Sequence, residues 1–161
     1  MAHYQASYEF DYGADRIYAI LSEVELMSEF MPLCKRSRVV QRERDPDGAE
    51  VVTANFLLRY RRINYEQSFD LRFTFWPSER RMKVEEPQQT AGSGYSMLNV
   101  AGSGPRSCRV QFESDFRPKS LVLRWLMPKR LVIEAVNRVM DRVRQRAKEL
   151  EQFDRTFRSG A

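Results

Sequence analysis

The spacing of the chain's apolar residues changes once, near residue 131, and that change restricts the fold more than any other feature. From Leu131 onward, Val132, Val136, Val139, Met140, Val143, Ala147 and Leu150 recur at three- and four-residue steps, the spacing of one helix face. The run predicts an amphipathic helix of about six turns by its rise per residue. Upstream of it, apolar and polar side chains mostly alternate with a period of two, the pattern of half-buried strands. A sheet with one apolar face needs a cover, and only the terminal helix is long enough to supply it. The expected fold class is therefore α+β: a curved antiparallel sheet of six or seven strands around one long C-terminal helix.

The remaining elements follow from the same patterns. Tyr4, Ala6, Tyr8, Phe10 and Tyr12 share one face of a first strand. Ile17, Ile20, Leu21 and Val24 share a helical face, and Glu25 to Phe30 reads as a second short helix stopped by Pro32. Further strands are expected at Lys35 to Glu43, Val52 to Tyr60, Ile63 to Phe75, Arg81 to Glu85, Tyr95 to Ala101 and Cys108 to Phe116. Asp45-Pro46-Asp47-Gly48 carries turn chemistry between the first two of these. The pairs Gly92/Gly94 and Gly102/Gly104 are read as turns, since neither a Lys-Ser/Thr nor a helix follows them to make a phosphate loop. Pro128 separates Leu121 to Met127 from the long helix. Residues 1–153 are expected to form one domain, and the polar residues 154–161 a frayed tail.

A chain of 161 residues with 42% hydrophobic and 12% aromatic residues has enough apolar area for a single core without disulfide staples. Two Cys separated by 74 positions fit neither a metal site nor a disulfide framework, which points to a reducing, cytoplasmic setting. No apolar run approaches the roughly 20 residues of a membrane span, and the first residues lack the pattern of a secretory signal. The net charge of +5 favours anionic partners without choosing among them.

The stretch Phe30-Met31-Pro32-Leu33-Cys34-Lys35-Arg36-Ser37-Arg38-Val39 resembles the Phe-x-Pro-x-Cys-x-x-Ser-x-Val segment of the START-like coenzyme-Q-binding family of the polyketide cyclase–START superfamily. The resemblance extends to the order of elements, to Cys108, Val110 and Phe112 in the last strand, and to Arg146-Ala147 late in the last helix. It covers residues 3 to 152. It implies a helix-grip fold with an apolar cavity between sheet and helix, and binding of a hydrophobic molecule such as a polyprenylated quinone. Relatives of the RatA type are instead described as ribosome-associated toxins that interfere with subunit joining. Leu33 stands where the family usually carries Trp, and the family's Gly-Pro-Phe turn is absent around Glu86 to Gly92.

Three groups of residues are candidates for function. Phe56, Leu58, Phe69, Leu71, Phe73, Met97, Phe112, Val136, Val139 and Met140 are assigned to the interior, with Phe30, Pro32 and Leu33 at its mouth. Pattern alone reads these as a packed core, and the resemblance reads them as the lining of a ligand cavity. Leu123, Trp125, Leu126, Met127, Lys129 and Arg130 suit a portal that touches an anionic membrane surface, and equally the buried start of the covering helix. Arg36, Arg38, Arg61, Arg62, Arg142 and Arg146 would serve as phosphate contacts to the large ribosomal subunit, or as a solvated face laced by ion pairs.

No catalytic residue, metal site or cofactor is expected, and no DNA partner; coenzyme Q or another lipid would be bound as ligand. His3 is the only His and falls on the wet side of its strand, so no His-based acid–base pair can be built. Cys34 and Cys108 therefore lack a base. Glu66, Asp70 and Arg72 alternate outward, and would reach the interior for cyclase-like proton chemistry only after a one-residue slip. The expectation is a non-enzymatic lipid-binding protein of the cytoplasm, working at the periphery of the inner membrane.

Overall fold

In a computed structural model, residues 3–30, 33–89, 92–126 and 128–160 are described, without the side chains of Leu26, Phe30, Val122, Leu123 and Leu126. Seven strands form one antiparallel sheet: β1 (His3–Phe10), β2 (Cys34–Arg44), β3 (Glu50–Tyr60), β4 (Tyr65–Trp76), β5 (Arg81–Glu85), β6 (Gly92–Gly104) and β7 (Ser107–Pro118). Their order across the sheet is β1-β7-β6-β5-β4-β3-β2. Helices α1 (Ala14–Leu21) and α2 (Met27–Phe30) lie between β1 and β2, and α3 (Leu121–Leu126) and α4 (Lys129–Ser159) follow β7. The α+β class with a curved antiparallel sheet and one long C-terminal helix is as expected.

Consecutive strands joined by short links can only pair antiparallel, which accounts for the run from β2 to β7. The β2–β3 turn uses the anticipated chemistry: the Gly48 amide donates to the Asp45 carbonyl at 2.9 Å and Gly48 has φ +88. Only β1 departs from sequence order, pairing with β7 from Phe10 opposite Cys108 to His3 opposite Asp115. This leaves β1 and β2 as edges. β2 carries Lys35, Arg36, Arg38, Arg42 and Arg44, charges that oppose pairing with a second chain.

The concave face holds the core. Phe10, Val52, Ala54, Phe56, Phe73, Phe75, Met82, Leu98, Val100, Cys108 and Val110 are buried there beneath Ile17, Ile20 and Leu21 of α1 and Met140, Val143 and Ala147 of α4. α4 begins beside the end of β7 and runs over the concave side. Its middle meets β1, where Arg144 donates to the Glu9 carbonyl at 3.0 Å and lies 4.8 Å from the Phe10 ring. Its last turns meet the β6–β7 hairpin and α1, through Arg106–Glu151 at 2.7 Å and Arg16–Asp154 at 2.6 Å.

Two expectations are corrected here. Residues 154–159 are helical rather than a frayed tail, because Asp154 is tied to α1, Arg155 pairs with Glu151, and the Phe153 and Phe157 rings meet at a tilt with centroids 5.1 Å apart. The glycine pairs are not turns but belong to β6. Gly94, at φ +115, lies so near β7 that a Cβ there would come within 1.7 Å of the Asp115 carbonyl oxygen, an approach open only to glycine.

Candidate functional site: a graded concave face

Alternation along the strands sorts the predicted interior residues. Phe56 lies opposite Phe69, Ala54 opposite Leu71, and Val52 opposite Phe73, all on the concave face, with Leu58 two residues beyond Phe56. Phe112 shares this face, opposite Leu98. Four rings form a cluster: Phe56 stacks on Phe69 at 6.4 Å and meets Phe73 at 5.9 Å, and Phe73 stacks on Phe75 at 6.2 Å. Val136 and Val139 are half-buried against the core, while Met140 is fully buried.

Met97 is the exception. It lies opposite Lys83 and Glu113 on the convex face, and the inward positions of β6 are Ser96, Leu98 and Val100. A strand presents alternate side chains to alternate faces, so Leu98 opposite Phe112 excludes Met97 from the interior. Leu33 is exposed at the edge of the concave side, where its carbonyl accepts from the Arg59 amide at 2.9 Å, and it adopts φ +69. Pro32 and the Phe30 side chain lie outside the described residues.

Burial on this face is graded from one end to the other. Where β1 ends and β7 begins, Phe10, Cys108, Val110, Val100, Met82 and Phe75 are sealed. Toward the opposite end Val84, Leu71, Phe69, Leu58 and Phe116 are half-buried, and so are Val132, Ile133, Val136 and Val139 on the first turns of α4, although Phe56 and Tyr60 of β3 stay buried among them. Inward-facing side chains that keep partial exposure therefore collect toward this end.

The same open end gathers exposed apolar side chains. Leu33 precedes β2, Ile63 lies in the β3–β4 link, Leu121 and Trp125 are on α3, and Leu131 is on the first turns of α4. Leu121 and Trp125 are 79% and 75% exposed. Arg61, Arg62, Arg124, Lys129 and Arg130 are exposed beside them. Of the predicted portal, Trp125, Lys129 and Arg130 thus face solvent, whereas Met127 and the side chains of Leu123 and Leu126 lie outside the described residues.

The predicted phosphate contacts do not collect on one patch. Arg36 and Arg38 are exposed on edge strand β2, Arg61 and Arg62 in the β3–β4 link, and Arg142 on α4, where Arg146 is half-buried. Arg142 bonds Gln145 at 2.8 Å, and Arg146 pairs with Glu149 at 3.8 Å. Two open clefts of about 740 and 630 Å³ flank the sealed end, sharing Asp11, Tyr12, Arg106, Glu151 and Arg155. Their charges pair within the walls, as in Arg80–Asp15 at 2.7 Å and Arg155–Glu151 at 2.9 Å.

Polar groups on the concave face were not singled out from the sequence. Tyr8 donates its phenol to Asn137 Oδ1 on α4 at 2.7 Å, with the Tyr4 hydroxyl 3.5 Å away. Burial, then the Tyr4 hydroxyl, pushes the Tyr8 phenol well above its ordinary range, so it stays protonated as a donor. Ser96 and Ser114 hydroxyls face each other at 3.0 Å. The inward alternation of Tyr4 and Tyr8 was a legible signal; Asn137, 129 positions from Tyr8, had none. Burial also raises the Cys34 and Cys108 thiols, which keeps them from acting as thiolates. Glu66, Asp70 and Arg72 stay on the convex side, bonded to Lys35, Asn55 and Glu85. No three or more His, Cys, Asp or Glu gather as a metal site, and no helix is long and apolar enough to cross a membrane, among the described residues.

Comparison with known proteins agrees with this fold. The model of the family described as polyketide cyclase/dehydrase and lipid transport matches residues 10–144. A START superfamily protein from Mycobacterium smegmatis superimposes with a TM-score of 0.72 at 17% identity, covering 93% of this chain and 99% of that one. An 18 kDa protein from Caulobacter crescentus gives 0.71 at 18% identity over 94% and 99%. The Zhui aromatase/cyclase from a Streptomyces species gives 0.69 at 11% identity over 89% and 94%. No curated protein matches the sequence. A family match over most of the chain and a shared sheet-and-helix architecture lead to one conclusion: the chain belongs to the polyketide cyclase/dehydrase and lipid transport family.

Proposed function

We propose that this protein is a non-enzymatic carrier of a lipophilic molecule, held between the open half of the concave face and the first turns of α4, and loaded at an anionic membrane surface. A prenylated quinone is the ligand class favoured by the resemblance of the Phe30–Val39 segment. The observation that carries the reading is the grading of the concave face, whose half-buried apolar side chains open beside an exposed apolar and basic rim. Burying a hydrocarbon chain contributes about 0.8 kcal/mol per CH₂, enough to offset withdrawal from a bilayer once several isoprene units are enclosed. Leu121, Trp125 and Leu131 would enter the headgroup region while Lys129 and Arg130 meet anionic lipid.

Organic extraction of the purified protein, followed by mass spectrometry, tests the reading. A prenylated lipid recovered near stoichiometry supports it, and an extract holding none after expression in a quinone-producing host refutes it.

A further inference from the structure

One row of cross-strand neighbours crosses the concave face at mid-depth. Tyr4 stands opposite Ser114, Ser114 opposite Ser96, Ser96 opposite Val84, and Val84 opposite Phe73. On the sealed side of this row lie Phe112, Leu98, Met82 and Phe75, all apolar and buried. On its open side Leu71 and Phe69 are half-buried. From β4 to β7 the row therefore separates buried side chains from half-buried ones, and its β1, β7 and β6 portion is polar.

Ser114 is 6% exposed, and its hydroxyl lies 3.0 Å from that of Ser96. Among the described residues, neither hydroxyl has another hydrogen-bond partner. Two hydroxyls carry two donor hydrogens, and a mutual bond uses one. One O–H is left over on an otherwise apolar surface; Ser96 is half-buried, so water can take that bond in the empty protein, and once a ligand excludes the water an unmade bond becomes costly. A hydrocarbon end placed there would strand it, whereas a carbonyl or hydroxyl oxygen would accept it.

We propose that the Ser96–Ser114 pair receives an oxygen-bearing end of the ligand, which enters oxygen first and leaves its hydrocarbon along Leu71 and Phe69 toward the opening. This rests on the carrier reading above. The pair then acts as a selectivity element, favouring carbonyl- or hydroxyl-headed lipids over plain hydrocarbons of equal length.

Titration calorimetry on the delipidated full chain, with decylbenzoquinone and decylbenzene as probes, tests it. The wild type should bind the quinone roughly fivefold more tightly, the worth of one net hydrogen bond. Ser96→Ala/Ser114→Ala should bind both probes alike, with decylbenzene no weaker than in the wild type. Ser96→Ala alone should keep the preference, because Ser114 then needs the ligand's oxygen. An undiminished preference in the double variant, or equal binding of both probes by the wild type, overturns the proposal. Binding of neither probe by the wild type refutes the carrier reading itself, and this inference with it.

Discussion

The Tyr8 phenol on edge strand β1 donates to Asn137 of α4 across 2.7 Å, joining residues from opposite ends of the chain. With Arg144 on the Glu9 carbonyl, it closes the seam between the sheet's edge and its cover. Tyr8→Phe removes the bond and leaves the Asn137 amide to water. The expected loss is about 1 kcal/mol, read as a lower urea midpoint with an unchanged slope; a midpoint equal to that of the wild type would show that the bond adds nothing.

The gradient of the concave face predicts unequal costs for its aromatic residues. Phe73, 2% exposed at mid-depth, contacts Phe56 and Phe75, so Phe73→Ala opens a cavity and should cost about 3–5 kcal/mol. Phe69, half-buried at the open end, should cost less than half of that on truncation. Chemical denaturation of both variants checks the ratio, and equal costs would contradict a graded face.

Trp125 and Leu121 predict a membrane phenotype separable from stability. Both are exposed, so Leu121→Glu/Trp125→Glu should leave the melting temperature unchanged. Sedimentation with vesicles containing phosphatidylserine should fall by on the order of 10-fold or more, since each apolar side chain withdrawn from the bilayer loses about 1.5–3 kcal/mol of burial. Undiminished sedimentation would remove α3 from the docking surface.

Stability should decline on the alkaline side. Cys34 and Cys108 are pushed above their ordinary value of 9.0 by burial, and Tyr8, Tyr18 and Tyr60 above 10.0 for the same leading reason. The folded chain keeps protons that the unfolded chain releases, so the contribution is whole below pH 9 and is lost as pH rises beyond it. Urea midpoints at pH 7, 9 and 10.5 should fall in that order; a midpoint that rises between pH 9 and 10.5 would reverse the sign.

Where alternation was clean, the faces were readable in advance. Val52, Ala54 and Phe56 in β3, and Phe69, Leu71 and Phe73 in β4, point as their spacing predicts. β6 offers apolar residues in both phases, Met97 in one and Leu98 and Val100 in the other, so its phase was set by pairing with β7 and Met97 was misassigned. The last helical turns carry only the Phe153/Phe157 pair at helical spacing; the contact of Arg16 with Asp154, which ties them to α1, leaves no local pattern. The same holds for the candidate site. Its apolar wall was legible as core, but its serine pair looks in sequence like two breaks in the apolar pattern.

The lipid content of Phe69→Arg beside that of the wild type tests the central claim most directly. The substituted guanidinium would project into the apolar space where cargo is proposed to lie, at a half-buried position, and should expel the cargo without unfolding the chain. The account predicts near-stoichiometric prenylated lipid in wild-type extracts and almost none in the variant, with matching circular dichroism spectra. Equal lipid in both would place the cargo elsewhere and contradict the account.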